Sequence, residues 1–120
     1  QEYNNNMYEY NVTVDRVVDG DTVDLMVDLG FDTWKAVRCR MYGINAPESR
    51  TRDLAEKKLG LAAKARLIEL LAVENLKLVS HGVGKYGRCL GEIFVGDNPI
   101  SINHQLVEEG HGVEYHGGKR

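Results

Sequence analysis

Two runs of alternating residues, Thr22 to Leu29 and Trp34 to Tyr42, leave this chain few ways to fold. In the first, Val23, Leu25, Val27 and Leu29 share one face, with Asp24, Met26 and Asp28 on the other. In the second, Val37, Cys39 and Met41 lie opposite Arg38, Arg40 and Tyr42. A period of two over this length predicts half-buried strands. Gly30 to Thr33 supplies the turn between them. An earlier run rich in Val and Thr, Asn11 to Val18, joins them through an Asp19-Gly20 turn. Three strands joined by tight turns form a meander.

Helical spacing follows. Ala63, Leu67, Leu70, Leu71 and Glu74 recur at three- and four-residue intervals, predicting a core-facing helix over 61–73, with Asp53 as an alternative start. Asn75 to Ser80 and Arg88 to Val95 read as two further strands. Pro99-Ile100-Ser101 sets an N-cap for a short helix with Ile102, Leu106 and Val107 on its apolar face, and Gly110 ends it as a left-handed C-cap. The order is β-β-β-α-β-β-α. Five strands with a helix after the third is the order of an OB-fold, a five-stranded Greek-key barrel of the α+β kind, here with two to three helices. The 120 residues hold material for one core. Residues 1–6 carry no periodicity and read as a disordered or added lead, leaving 7–120 as a single domain.

Apolar residues at 42% and charged residues at 28% disfavour disorder. The most apolar stretch, Leu59 to Val73, is broken by Lys64, Arg66 and Glu69, so no membrane span is expected. No secretory leader is legible, which makes the chain intracellular as it stands, or secreted with its leader removed. The net charge of −3 argues mildly against a nucleic-acid partner, but it hides a split. Residues 1–48 hold nine carboxylates against four basic residues, while residues 49–120 hold nine against eleven.

Three segments carry candidate chemistry. Asp19-Gly20-Asp21-Thr22 reads as a plain turn or as the seed of a hard-cation site, since two aspartates are fixed at it. It is no EF-hand, because the sixth and twelfth positions from Asp19 are Asp24 and Gly30 rather than Gly and Glu. In Arg40-Met-Tyr-Gly-Ile-Asn45-Ala-Pro-Glu48, Pro47 stiffens a loop that carries the Asn45 amide and the Glu48 carboxylate. Gly82-Val-Gly84-Lys85-Tyr86-Gly87-Arg88 spells a dinucleotide fingerprint, but a strand follows where that motif needs a helix. Arg88 instead enters a rigid strand after a basic loop, suited to grip a phosphate. Barrel order lets Asp21, Arg40, Asn45, Glu48 and Arg88 converge. A carboxylate base, a cation site and two guanidinium forks are what phosphodiester hydrolysis requires.

The Asp-Gly-Asp-Thr segment, the Arg-x4-Asn-x-Pro-Glu segment and Lys-Tyr-Gly-Arg, in this order, resemble the thermonuclease (staphylococcal nuclease-like) family from about Val12 to Tyr115. The resemblance implies an OB-fold endonuclease that cleaves single- or double-stranded DNA and RNA with one Ca2+ and leaves 3′-phosphate ends. It implies Asp21 and the Ala46 carbonyl as calcium ligands, with Asn45 where the best-known member has an aspartate. It further implies Glu48 as general base or organiser of the water, Arg40 and Arg88 on the phosphate, and Asp19 behind the ligands. Lys85, Tyr86 and Tyr115 become candidate substrate contacts, although the C-terminal tyrosines match poorly and His116 is closer in register than Tyr115. Replacing an aspartate by Asn45 removes one negative charge and predicts weaker calcium binding. A monomer is expected. The alternative is a non-catalytic module of the same family that binds nucleic acid or protein, but Asp21, Arg40, Glu48 and Arg88 are all present.

Other residues read both ways. Arg50, Arg52, Lys57, Lys58, Lys64 and Arg66 can track a nucleic-acid backbone or simply solvate a helix. Parity turns Cys39 and Cys89 inward as small core residues, or as a pair close enough to bridge. His81, His104, His111 and His116 lack ligand spacing and read as surface residues.

Overall fold

A computed structural model describes residues 8–83 and 88–115. The lead assigned to 1–6, together with Lys85, Tyr86 and His116, lies outside the described residues. Strands β1 (Glu9–Asp19), β2 (Thr22–Asp28) and β3 (Trp34–Met41) form the expected antiparallel meander. After a short β4 (Ile44–Asn45) comes helix α1 (Leu54–Leu71), then β5 (Leu76–Val83) and β6 (Cys89–Val95). Helix α2 (Ile102–Glu108) and a short β7 (Val113–Glu114) are the last elements among the described residues. The main sheet closes in the order β1-β2-β3-β6-β5, with β1 pairing back to β5. All its pairings are antiparallel except β3 with β6, where Cys39 faces Cys89 and Arg40 faces Leu90. This is the five-stranded OB-type barrel expected from the element order. The β4·β7 pair was not foreseen, because two-residue strands leave no periodicity.

Alternation sends Val23, Leu25, Val27, Cys39 and Met41 into the core, where they meet Leu67, Leu76, Leu78, Ile93 and Leu106. Leu67 is fully buried, and truncating it to Ala would cost about 3 kcal/mol. Leu29, expected on the same inner face, is 44% exposed, because β2 ends at Asp28 and the chain turns away.

Helix α1 begins seven residues before the expected 61, at the alternative start. The Asp53 side chain caps it, accepting from the backbone N–H of Ala55 at 3.0 Å and of Glu56 at 3.2 Å. Gly60, Ala63, Leu67 and Leu71 form its buried face. Ser101 caps α2 as predicted, accepting from His104 N at 3.0 Å, and Gly110 follows it with φ of +83°. Asn103, missed in the sequence, is buried in α2 and fully used. Its amide nitrogen donates to Tyr42 O (2.8 Å) and Gly91 O (3.0 Å), and its oxygen accepts from Ile93 N (3.1 Å). No helix among the described residues is long and apolar enough to cross a membrane.

Candidate functional site

The tight link from β1 to β2 turns Asp21 inward, leaving it 8% exposed. A buried carboxylate needs partners. Here Oδ1 accepts from the Thr22 hydroxyl at 3.0 Å, and Oδ2 accepts from Ala46 N at 2.8 Å. Arg40 Nη1 adds an ion pair to Asp21 Oδ2 at 3.4 Å. The same nitrogen donates to Ile44 O at 2.8 Å, with Met41 O and Asp21 O at 3.3 and 3.4 Å. Nη2 donates to Asn45 Oδ1 at 3.2 Å, and the Tyr115 ring centre lies 6.0 Å from the guanidinium carbon. Asp21, Arg40, Asn45 and Ala46 are therefore interlocked. Nothing among the described residues takes the Arg40 Nε proton.

A cleft of about 440 Å³ is lined by Asp19, Thr22, Arg38, Glu48, Arg50 and Arg88, with Val18 at its edge. Asp19 Oδ1 is held by the Ser49 backbone N–H at 3.2 Å and by the Ser49 hydroxyl. The Glu48 N–H donates to Glu56 Oε2 at 3.1 Å, whereas the Glu48 carboxylate has no hydrogen bond or ion pair among the described residues. Arg50 and Arg88 are exposed and likewise unpaired. Arg38 is not free: it donates to Asp24 at 2.8 and 3.1 Å. Its guanidinium holds the Asp24 carboxyl below the usual carboxylate range, with Arg16 adding at 3.5 Å.

The set expected to converge at one point is thus divided. Asp19, Glu48 and Arg88 line this cleft, while Asn45 and Ala46 line a second one of about 340 Å³ with Pro47, Glu56, Leu59 and Val113. Asp21 and Arg40 line neither and tie the Asn45-Ala46 segment to the turn after β1.

The family model described as "Staphylococcal nuclease homologue" matches residues 38–119. The chain belongs to this family. A "Micrococcal nuclease" of Shigella flexneri is 29% identical over 109 residues, covering 85% of this chain and 56% of that protein. An "Uncharacterized endonuclease" of Escherichia coli is 31% identical over 95 residues, covering 79% and 54%. "Endonuclease YhcR" of Bacillus subtilis (strain 168) is 31% identical over 115 residues, covering 89% of this chain but 9% of that protein. The chain spans about half the length of the first two of these relatives.

In this staphylococcal nuclease homologue, α1 is the platform on which the loop after β4 rests. A Cβ at Gly60 would lie 2.2 Å from Glu48 O and 2.6 Å from Ser49 N, so only glycine allows the helix so close. Gly20 plays the matching part on the turn, where a Cβ would come within 2.7 Å of the Ala63 Cβ. Gly60 lies just before the helix expected over 61–73, and a glycine at a helix boundary gives no sign of such a contact.

Two expectations need correction. His81 is no surface histidine: its side chain is 13% exposed, stacks on Tyr42 at 3.9 Å and lies 2.8 Å from Glu92 Oε1. β5 runs on past the expected Ser80, so His81 faces β6 instead of solvent. Arg66 is not available to track a backbone, because it donates to Glu109 at 2.7 and 3.0 Å and to Glu69 at 3.3 Å, tying α1 to the end of α2. Of Arg50, Arg52, Lys57, Lys58, Lys64 and Arg66, Arg50 lines the first cleft.

Proposed function

We propose that this protein hydrolyses phosphodiester bonds of DNA or RNA in the Glu48 cleft, leaving 3′-phosphate ends, with one calcium ion as cofactor. The observation that carries the reading is a carboxylate, Glu48, that shares a cleft with two guanidiniums, Arg50 and Arg88, all three without an ion pair among the described residues. In a chain of a nuclease family, that is a base beside a phosphate grip.

The Asp21 carboxylate, the Asn45 side-chain oxygen and the Ala46 carbonyl would hold the ion. They fit a hard cation in kind, being oxygen donors drawn together by the Arg40 and Ala46 hydrogen bonds. They fit a weak site in number, since no three Asp, Glu, His or Cys side chains gather as a metal group among the described residues. When bound, calcium supplies Lewis-acid polarisation of a phosphoryl oxygen.

The rest of the chemistry belongs to the chain. Glu48 takes a proton from water as its oxygen bonds to phosphorus. The bond from phosphorus to the 5′ oxygen breaks, its electron pair leaves on that oxygen, and solvent returns a proton there. Arg88 and Arg50 neutralise charge growing on the phosphoryl oxygens, and Arg40 offers its Nε.

The test is cleavage of single- and double-stranded DNA in calcium, magnesium or chelator. Calcium-dependent cleavage that Glu48→Gln lowers by about 10²–10⁴-fold is expected. Undiminished cleavage by Glu48→Gln would refute the mechanism, and binding without cleavage under every condition would make the protein a binding module.

A further inference from the structure

The barrel closes through β3 and β6, and Cys39 and Cys89 are direct partners across that junction. Neighbouring strands run about 4.8 Å apart, inside the Cα separation of ~4.4–6.8 Å that a disulfide spans. The two Sγ atoms are already 3.4 Å apart. Cys39 is fully buried in the core cluster, and Cys89 is partly exposed against it. Each is followed or preceded by a candidate site residue: Arg40 comes after Cys39, and Arg88 before Cys89. We propose that Cys39 and Cys89 form a modification site, a dithiol that a low-molecular-weight disulfide converts reversibly to an intramolecular disulfide.

Exposure assigns the order of attack. Cys89 gives its proton to solvent and its sulfur attacks one sulfur of the small disulfide, whose S–S bond breaks and releases one thiolate to be protonated. Cys39 then loses its proton and attacks the Cys89 sulfur, and the second small thiolate leaves. Two protein thiols are oxidised and one small disulfide is reduced to two thiols. The electrostatics agree with this order. The adjacent Cys89 sulfur and burial push the Cys39 thiol up, while the Cys39 contact holds Cys89 below the ordinary thiol value.

Bond formation brings the sulfurs from 3.4 Å to about 2.05 Å, an approach of roughly 1.4 Å between the two sulfur atoms.

The full-length protein incubated with oxidised glutathione, then alkylated and weighed intact, tests the site. The expected product has lost both alkylatable thiols, retains no glutathione, and is restored by dithiothreitol. Cys89→Ser should take up no glutathione, and Cys39→Ala should keep a stable glutathione adduct on Cys89. If Cys39→Ala fails to fold, Cys89→Ser at the less buried position still decides the order of attack. A wild-type protein that keeps both thiols, or stops at a stable single adduct, overturns the proposal. If the disulfide forms and the reduced protein never cleaves DNA, the phosphodiesterase reading fails while the dithiol site stands.

Discussion

Gly60 sits so close beneath Glu48 that a single added carbon would lie 2.2 Å from the Glu48 carbonyl oxygen. The neighbour is backbone, with no side chain to swing aside. Gly60→Ala must therefore push the Glu48-Ser49 segment off α1. Overpacking of this kind costs about 1–3 kcal/mol, and if Glu48 is the base proposed above, its displacement by ~1 Å lowers the rate about a hundredfold. Denaturant melts and cleavage rates measured on the same preparation should show both losses, although Gly→Ala inside an exposed helix would normally stabilise.

Arg40 and Arg88 should separate cleanly on mutation. Arg88 is exposed and has no ion pair among the described residues, so on the proposed reading Arg88→Ala should lower cleavage while leaving the melting temperature within about 1–2 °C of the parent. Arg40→Ala leaves the buried Asp21 carboxylate without its counter-charge and takes one donor from each of four carbonyl or amide oxygens. Removing one partner of such a pair costs about 3 kcal/mol. Equal stability losses in the two variants would contradict this division.

The Asn45→Asp variant adds a carboxylate to the proposed calcium ligands. Ligand charge tunes affinity over decades, so the calcium concentration for half-maximal cleavage should fall about tenfold. An unchanged calcium dependence would remove Asn45 from the ligand set.

Acid should loosen the α1–α2 contact before it unfolds the barrel. The Arg66 guanidinium, with Gln105, holds the Glu109 carboxyl down at about 2, against an ordinary value of 4.5. A depressed folded-state value means that the stabilisation is complete above the unfolded value and is lost as pH falls through the folded one. Melting temperature should therefore drop between about pH 4.5 and pH 2 in the parent, and Glu109→Gln should be less stable at neutral pH with a shallower drop in that window. Parallel pH profiles would show that the pair contributes nothing.

Much of this architecture is written in periodicity and caps. Alternation in 22–28 and 34–41 identified the inner face, and Ser101 and Gly110 marked both ends of α2. What escaped depends on tertiary neighbours. Gly60 looked like a helix start because its purpose is contact with the Glu48 backbone. Asn103 carries no signal in the sequence because its partners come from β3's exit and β6. For the site, the motifs named the residues but not their arrangement. Asp21 and Arg40 bind each other and the following loop, a choice made by burial and invisible to spacing. Arg50 and Ser49 follow Glu48 directly, yet only the fold shows one lining the cleft and the other holding Asp19.

The parallel pairing of β3 with β6 joins positions 50 residues apart in the chain. Glu48 and the aspartates of the first turn are synthesised early, but Arg88 reaches them only when β6 docks beside β3. A nascent chain lacking β6 has carboxylates and no complete cleft. Of the residues that line the Glu48 cleft, Arg88 is therefore the last to be made, and the cleft closes only with the final strand of the barrel.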